Sequence, residues 1–556
     1  MKVTRTKNKP FQLAFNGPIS DVPFQLPLTA LDKLSLPSVG GGWPVPSEVK
    51  PHSGGEGAIP QFAFIDSSPY LLALAQDAPT ADDLAETTEV QFTQDIVDLA
   101  AQLGNKPTKI LEWVQNNIEF VPTYGSIQGA DMCLQTKQCN DFDTASLLIA
   151  LLRTSNLPAK YAYGTIEVPI DKAMNWVGGF TDARAAANFL ASGNVPVKIG
   201  ISGNTIKSIQ LEHVWVETYI PYGNYRGTMI DDSLKTWIPM DGSYKQYTYT
   251  NGFDSTTAVP FSQDAYLSQV QSQNAIHYYQ SQIQSYLDAN MPDTSIVDVK
   301  GYREITQETY HFLSSTLPYI TVVQGAKFSS IPASMAAAVA FTLTNTATGE
   351  NVSYAVSTAE LAGKRITVSY LPATSTDEAL IANYGGFLYD VPAYMLNLKP
   401  VLRVEGVIKL TGEATTLGAE QNLTMRFTQP NGNTETREKK LLAGAYYAIG
   451  LDLQGINENV LGKRNYQLNT NVLSETAGTL GNDDLIGEHL FILATTYFLA
   501  NDKIQKSGAK LFNVATTRTI SEGITSFTLS VSSIFGMPKA AMPYSGPLFS
   551  DNSLRW

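Results

Sequence analysis

The sequence predicts an α+β fold, a helix packed on an antiparallel sheet, followed by a mainly β region and a short α/β C-terminal part. Three observations predict it. Between residues 87 and 154 apolar side chains return at the spacing of one helix face. Just after Pro158 the pattern changes to strand alternation, so the helices precede their sheet instead of alternating with its strands. From Thr321 to about residue 472, strand-like runs are punctuated by turn formers such as Pro430, Asn431, Gly432 and Asn433.

Taken in order, residues 1–85 are rich in Pro, Gly and Ser and read as an extended arm. From Asp82 a first helix is expected through Thr87, Val90, Phe92, Ile96, Leu99 and Leu103, ended by Gly104 and Asn105. A second follows Pro107 with Ile110, Val114 and Ile118, and a third spans 143–154 with Ala145, Leu147, Leu148, Leu151 and Leu152. Strands are expected around Tyr161, Tyr163, Thr165 and Glu167, then at Val214, Val216, Thr218 and Tyr219, then at 236–240. An insertion at roughly 170–200 carries two short helical stretches, 171–176 and 182–191. Residues 262–292 read as a long helix or helical pair. Further strands fall at 339–344, 365–370, 401–410 and 423–427, a helix at 483–501, and strand pairs at 507–535. The domains expected are an arm at 1–85, the α+β domain at 86–255, a helical connector at 256–315, a β-sandwich-like domain at 316–472, and helix plus strands at 473–556, the last expected to be truncated.

Composition excludes some classes. The 556-residue chain has a formal net charge of −13 with its carboxylates dispersed, so it lacks the concentrated basic surface that nucleic acid requires. No apolar run reaches the roughly 18–20 residues of a membrane span. The basic start, Met1 to Arg5, has no apolar core behind it, so no signal peptide is visible. His52, His277, His311 and His489 lie in unrelated contexts without ligand spacing, which argues against a metal site, and no cofactor motif occurs. The two cysteines, Cys133 and Cys139, permit two readings: a local disulfide in an exported protein, or a nucleophile at one of them. The readings compete at Cys139, because a disulfide sulfur cannot attack as a thiolate.

Three segments carry chemistry. The first is Gln138-Cys139-Asn140-Asp141 entering the helix with Ala145, Leu151, Leu152 and Arg153 and reaching Leu157-Pro158-Ala159. The second is His213-Val214-Trp215-Val216-Glu217 and the third Trp237-Ile238-Pro239-Met240-Asp241. In that order they resemble the transglutaminase-like superfamily, with its papain-like core and Cys-His-Asp triad. The resemblance implies Cys139 as nucleophile, His213 as proton carrier and Asp241 as the group that orients it, acting on a peptide or protein amide by hydrolysis or acyl transfer. A helix N-terminus and an imidazolium would stabilise the thiolate, and a carboxylate would fix the histidine tautomer. Trp215 and Trp237 are expected to cover the pair. The family cysteine stands four residues before the helix alanine, which is Asp141 in this chain, whereas Cys139 stands six before Ala145. The flanking runs at 79–87, 116–129 and 163–177 are similar to domains of large bacterial surface or secreted proteins that often read Gly-Asn-Asp there. That likeness implies an extracellular, cell-surface or periplasmic location. It also leaves open a second function, a catalytically degenerate module for binding or assembly, with Cys139 joined to Cys133 and Asp141 beside His213.

Overall fold

The computed structural model describes residues 78–512 apart from 223–234, 251–253, 270–271, 297–301, 387, 431, 452, 454–457 and 475–482, together with the backbone of strands at Ser47–Val49 and between residues 526 and 548. The expected arm at 1–85 lies mostly outside the described residues. Of the strand pairs expected at 507–535, the residues up to Phe512 instead continue a helix, Ser526–Val531 and Ser533–Ile534 are strands, and the others lie outside the described residues.

Helices α1 (Gln94–Gln102), α2 (Pro107–Asn117), α3 (Gly129–Thr136) and α4 (Asp141–Thr154) come first. The helix at the centre is α4, whose residues from Asp141 to Arg153 are all buried. Asn140 starts it by accepting from the Asp143 amide at 2.8 Å, and Asn156, left-handed at φ 59, helps end it before Pro158. Each of Leu147, Leu148, Leu151 and Leu152 is fully buried, a contribution of about 1.5–3 kcal/mol apiece. Arg153 then ties the helix end to its surroundings, donating to the Ala159, Ala85 and Ser329 carbonyls.

The first expected helix begins later than its periodicity suggests. Side chains intercept the backbone donors ahead of it: Thr87 Oγ1 accepts from the Val90 amide at 3.2 Å and Glu86 Oε1 from the Phe92 amide at 2.9 Å. Among the described residues just ahead of α1 there is a short 3₁₀ turn at Ala81–Leu84, and Val90 still reaches the core from a non-helical segment.

Strands β1 (Ala159–Pro169), β2 (Val197–Ser202), β3 (Thr205–Pro221), β4 (Lys235–Met240) and β5 (Ile320–Phe328) form the sheet beneath α4, with helices α5 (Ile170–Gly178) and α6 (Ala183–Ser192) inserted between β1 and β2. The long strand β3 pairs along one side with β1, from Ala159 opposite Thr218 to Pro169 opposite Ser208. Its other side is divided: β2 pairs it up to Leu211, and β4 begins at Val216 opposite Met240. Between them a gap opens beside residues 213–215 of β3, beyond the Glu212 amide, which still donates to the Pro196 carbonyl. The strand Ser47–Val49 runs parallel to β2. Strand β5, expected in the β region, instead extends this sheet on the free side of β1. Its run reads as a strand in either place, and only tertiary pairing decides the partner.

The β-rich region that follows has two antiparallel sheets. One contains β6 (Ala338–Asn345), β7 (Asn351–Ser357), β11 (Glu420–Thr428) and β12 (Thr434–Leu442); the other contains β8 (Ile366–Pro372), β9 (Asn397–Val404), β10 (Val407–Thr411) and β13 (Tyr446–Leu451). Phe341, Leu343 and Met425 of the first share a core with Val368, Leu402 and Ile449 of the second. Glu458–Ser474, where strand-like sequence was expected up to residue 472, is a helix, and a further long helix runs over Glu488–Phe512.

Candidate active site

The gap in the sheet edge is where the N-terminus of α4 arrives. Strand pairing leaves the Val214 amide without a backbone acceptor there, and Asp141 supplies one: its Oδ2 accepts from Val214 N at 3.1 Å. The same oxygen stands 3.0 Å from His213 Nδ1, an ion-pair contact lying off the axis of a hydrogen bond. On the other side of the ring, His213 Nε2 meets Asp241 Oδ2 at 2.9 Å. His213 is on β3 and Asp241 follows the last residue of β4, so adjacent antiparallel strands bring them together beside the helix start.

Asp241 is held on every side. Oδ1 accepts from the Ser243 amide and hydroxyl, each at 2.7 Å, and from the Tyr244 amide at 3.2 Å; Oδ2 also accepts from the Tyr319 hydroxyl at 2.8 Å. His213 is fully buried. Burial opposes its charge, but Asp241 and Asp141 outweigh burial and push its pKa up to about 9. Burial likewise opposes the charge of Asp241, and His213 with the Ser243 donors draws its pKa down to about 2. At neutral pH the ring is therefore an imidazolium between two carboxylates.

Cys139 lies elsewhere. Its sulfur is bonded to that of Cys133, with the two Cα atoms 5.6 Å apart, and both residues are fully buried. Residues Gln138–Cys139 form a short strand parallel to Glu119–Phe120, and the chain then passes through the cap residue Asn140 before Asp141 faces the histidine. Asn140 Nδ2 donates to Gly125 O at 2.6 Å, while Asp143 accepts from the amides of Ile127, Gln128 and Gly129 and the Ser126 hydroxyl. The two-residue offset is thus built into the fold. Of the expected trio, the fold brings His213 and Asp241 together and leaves Cys139 in the disulfide.

Of the two tryptophans expected to cover the pair, Trp215 shares a buried cluster with Trp176 and Tyr319, and Trp237 lies apart. Trp176 of the inserted α5 and Tyr319 from ahead of β5 both meet the His213 ring edge-on, at 5.5 and 5.6 Å. Trp237 packs instead against Tyr219 and beneath the Lys160 ammonium. Glu217, the last residue of the His-x-Trp-x-Glu run, pairs with Lys327 at 2.8 Å. Trp176 was legible only as part of a helix, and Tyr319 carried no signal, being 78 residues from Asp241. Among the described residues no group of His, Cys, Asp and Glu is arranged to hold a metal, and no helix is long and apolar enough to cross a membrane.

A helix N-terminus aimed at a strand histidine, with an orienting carboxylate on the next strand, defines a papain-like α+β core. Residues 90–242 match the model of the transglutaminase-like superfamily, so the chain carries a domain of that superfamily over this span. Neither a curated protein nor a solved structure matches the chain.

Proposed function

We propose that the transglutaminase-like domain is a degenerate one, without thiol chemistry, and that it serves as a binding or assembly module of an exported bacterial surface protein. The observation that carries this reading is the carboxylate of Asp141, 3.0 Å from His213 Nδ1, in the place where the family presents its sulfur. A carboxylate there holds the imidazolium by charge; it has no proton for the histidine to remove and is a poor nucleophile toward an amide. The buried disulfide supports the same reading twice: it removes Cys139 as a thiolate, and such bonds persist in oxidising compartments.

The test is an assay of amine incorporation into casein with dansylcadaverine, with ammonia release followed in parallel, before and after thiol reduction. No turnover is expected from the wild-type chain in either state. Turnover that disappears in Cys139→Ser and in His213→Ala would restore the enzyme reading, with Cys139, His213 and Asp241 as its triad.

A further inference from the structure

Just beyond the start of α4, on the side of the sheet that α4 covers, lies a carboxylate that the candidate site does not use. Glu212 of β3 pairs with Thr165 of β1, and Thr165 with Val323 of β5, so the three form one row across the sheet. Tyr163, two residues along β1, points to the same face, its ring lying over Gly325, where a Cβ would come within 3.1 Å of Tyr163 Cδ1. Tyr124 completes the group: its hydroxyl donates to Glu212 Oε2 at 3.4 Å and stands 3.0 Å from the Tyr163 hydroxyl.

All three side chains are half-buried. Among the described residues Glu212 has no Lys, Arg or His partner, and burial, only partly offset by Tyr124, holds its carboxyl above the usual range. The tyrosine donors are also spent. With the Tyr124 proton on Glu212 and the Tyr163 proton on Tyr124, what faces outward is the second carboxylate oxygen and the lone pairs of Tyr163. Such a surface is rich in acceptors, with the Thr165 hydroxyl in the same row able to donate or accept, and the Glu212 carboxylate gives it negative charge. A ligand that donates and carries positive charge matches it; an anion is repelled by the Glu212 carboxylate.

We propose that Glu212, Tyr124 and Tyr163 form a docking site for the cationic end of a lysine or arginine side chain of a partner protein. The ammonium or guanidinium takes the free carboxylate oxygen and the Tyr163 lone pairs. Its aliphatic stem lies along the row toward Val323, which is 56% exposed. The inference does not depend on whether the neighbouring Asp141–His213–Asp241 group performs chemistry.

The experiment uses the full chain and saturation-transfer NMR with three probes: Nα-acetyl-lysine methylamide, Nα-acetyl-arginine methylamide and, as neutral control, Nα-acetyl-glutamine methylamide. Transfer to the side-chain methylenes of the cationic probes is expected from the wild type. It should fall by about fivefold or more in Glu212→Gln, the scale of one partly desolvated charge contact, and stay unchanged in Glu378→Gln on a distant exposed helix. Thermal unfolding of Glu212→Gln checks that the variant is folded, and Tyr163→Phe supplies a second variant. Equal transfer to the glutamine probe, no transfer from the wild type, or wild-type transfer in folded Glu212→Gln would each overturn the proposal.

Discussion

Two places in this molecule bury opposite charges, and they differ in what the burial accomplishes. At the candidate site a single titratable cation, His213, lies between Asp141 and Asp241 at the meeting of a helix start and two strands. In the β-rich region, Arg365 on the approach to β8 pairs with Glu488 at 2.8 Å and Asp484 at 3.2 Å, while Arg464 meets Glu488 and Glu405, each at 2.9 Å. The second cluster fastens the helices Glu458–Ser474 and Glu488–Phe512 to a sheet through guanidinium–carboxylate pairs. It is redundant as well, since Glu488 has two guanidinium partners. The first has one cation in contact with its two carboxylates; Lys245, buried nearby, is held by backbone carbonyls and feels Asp241 only at a distance. Buried charge is thus a poor marker of a functional site by itself; the informative features are a cation without a substitute and a frame that aims it at a helix N-terminus.

Removing the cation from each place separates the two clusters by the size of the loss. His213→Gln leaves two buried carboxylates uncompensated and should lower stability by about 3–5 kcal/mol near pH 6, measured by denaturant unfolding. The effect should depend on pH in a set direction. Because the folded pKa of His213, about 9, lies above the unfolded value of about 6.5, its contribution is complete below pH 6.5 and is lost as pH rises through 9. The advantage of wild type over His213→Gln should therefore be flat from about pH 4 to 6.5 and shrink toward pH 9. The same pair seen from Asp241, whose pKa is drawn down to about 2, loses its contribution as pH falls from about 4 to 2.

Opening the disulfide comes next. The Cys133→Ser/Cys139→Ser double variant should lose about 2–3 kcal/mol, the scale for closing a short loop, with no change in the His213 titration followed by NMR. If Cys139 were instead a free thiol beside the histidine, stability would barely move and the titration would shift. The smallest loss belongs to the clamp. Arg365→Met should cost about 1–2 kcal/mol, because Arg464 still compensates Glu488 and Asp484 is half-exposed. A loss equal to that of His213→Gln would erase the distinction between the two clusters.

What the sequence made legible follows from the range of each interaction. The helix at 141–154, the strands carrying His213 and Asp241, and their order could be read because each is written locally, in a leucine stripe, a strand alternation or a short motif. The Asp141 position was legible too, as the residue four before Ala145. The cover over His213 was not, since Trp176 and Tyr319 come from an insertion and from beyond residue 242 and reach the ring only through tertiary packing. The sheet assignment of Ile320–Phe328 failed for the same reason. Periodicity overran the true start of the helix at Gln94 because side-chain acceptors at Glu86 and Thr87 held the backbone out of it. At 458–474 the strand-like reading missed a helix whose Arg464 is anchored by distant carboxylates.

The histidine of this transglutaminase-like domain faces a carboxylate while Cys139 is tied away. Peptide mapping by mass spectrometry tests it most directly, after iodoacetamide treatment of the chain in denaturant without reductant. The expected result is no alkylated cysteine and a Cys133–Cys139 cross-linked fragment that separates only on reduction. Unreduced protein carrying the label on Cys139, with that label added at neutral pH in the folded state and lost in His213→Ala, would contradict it.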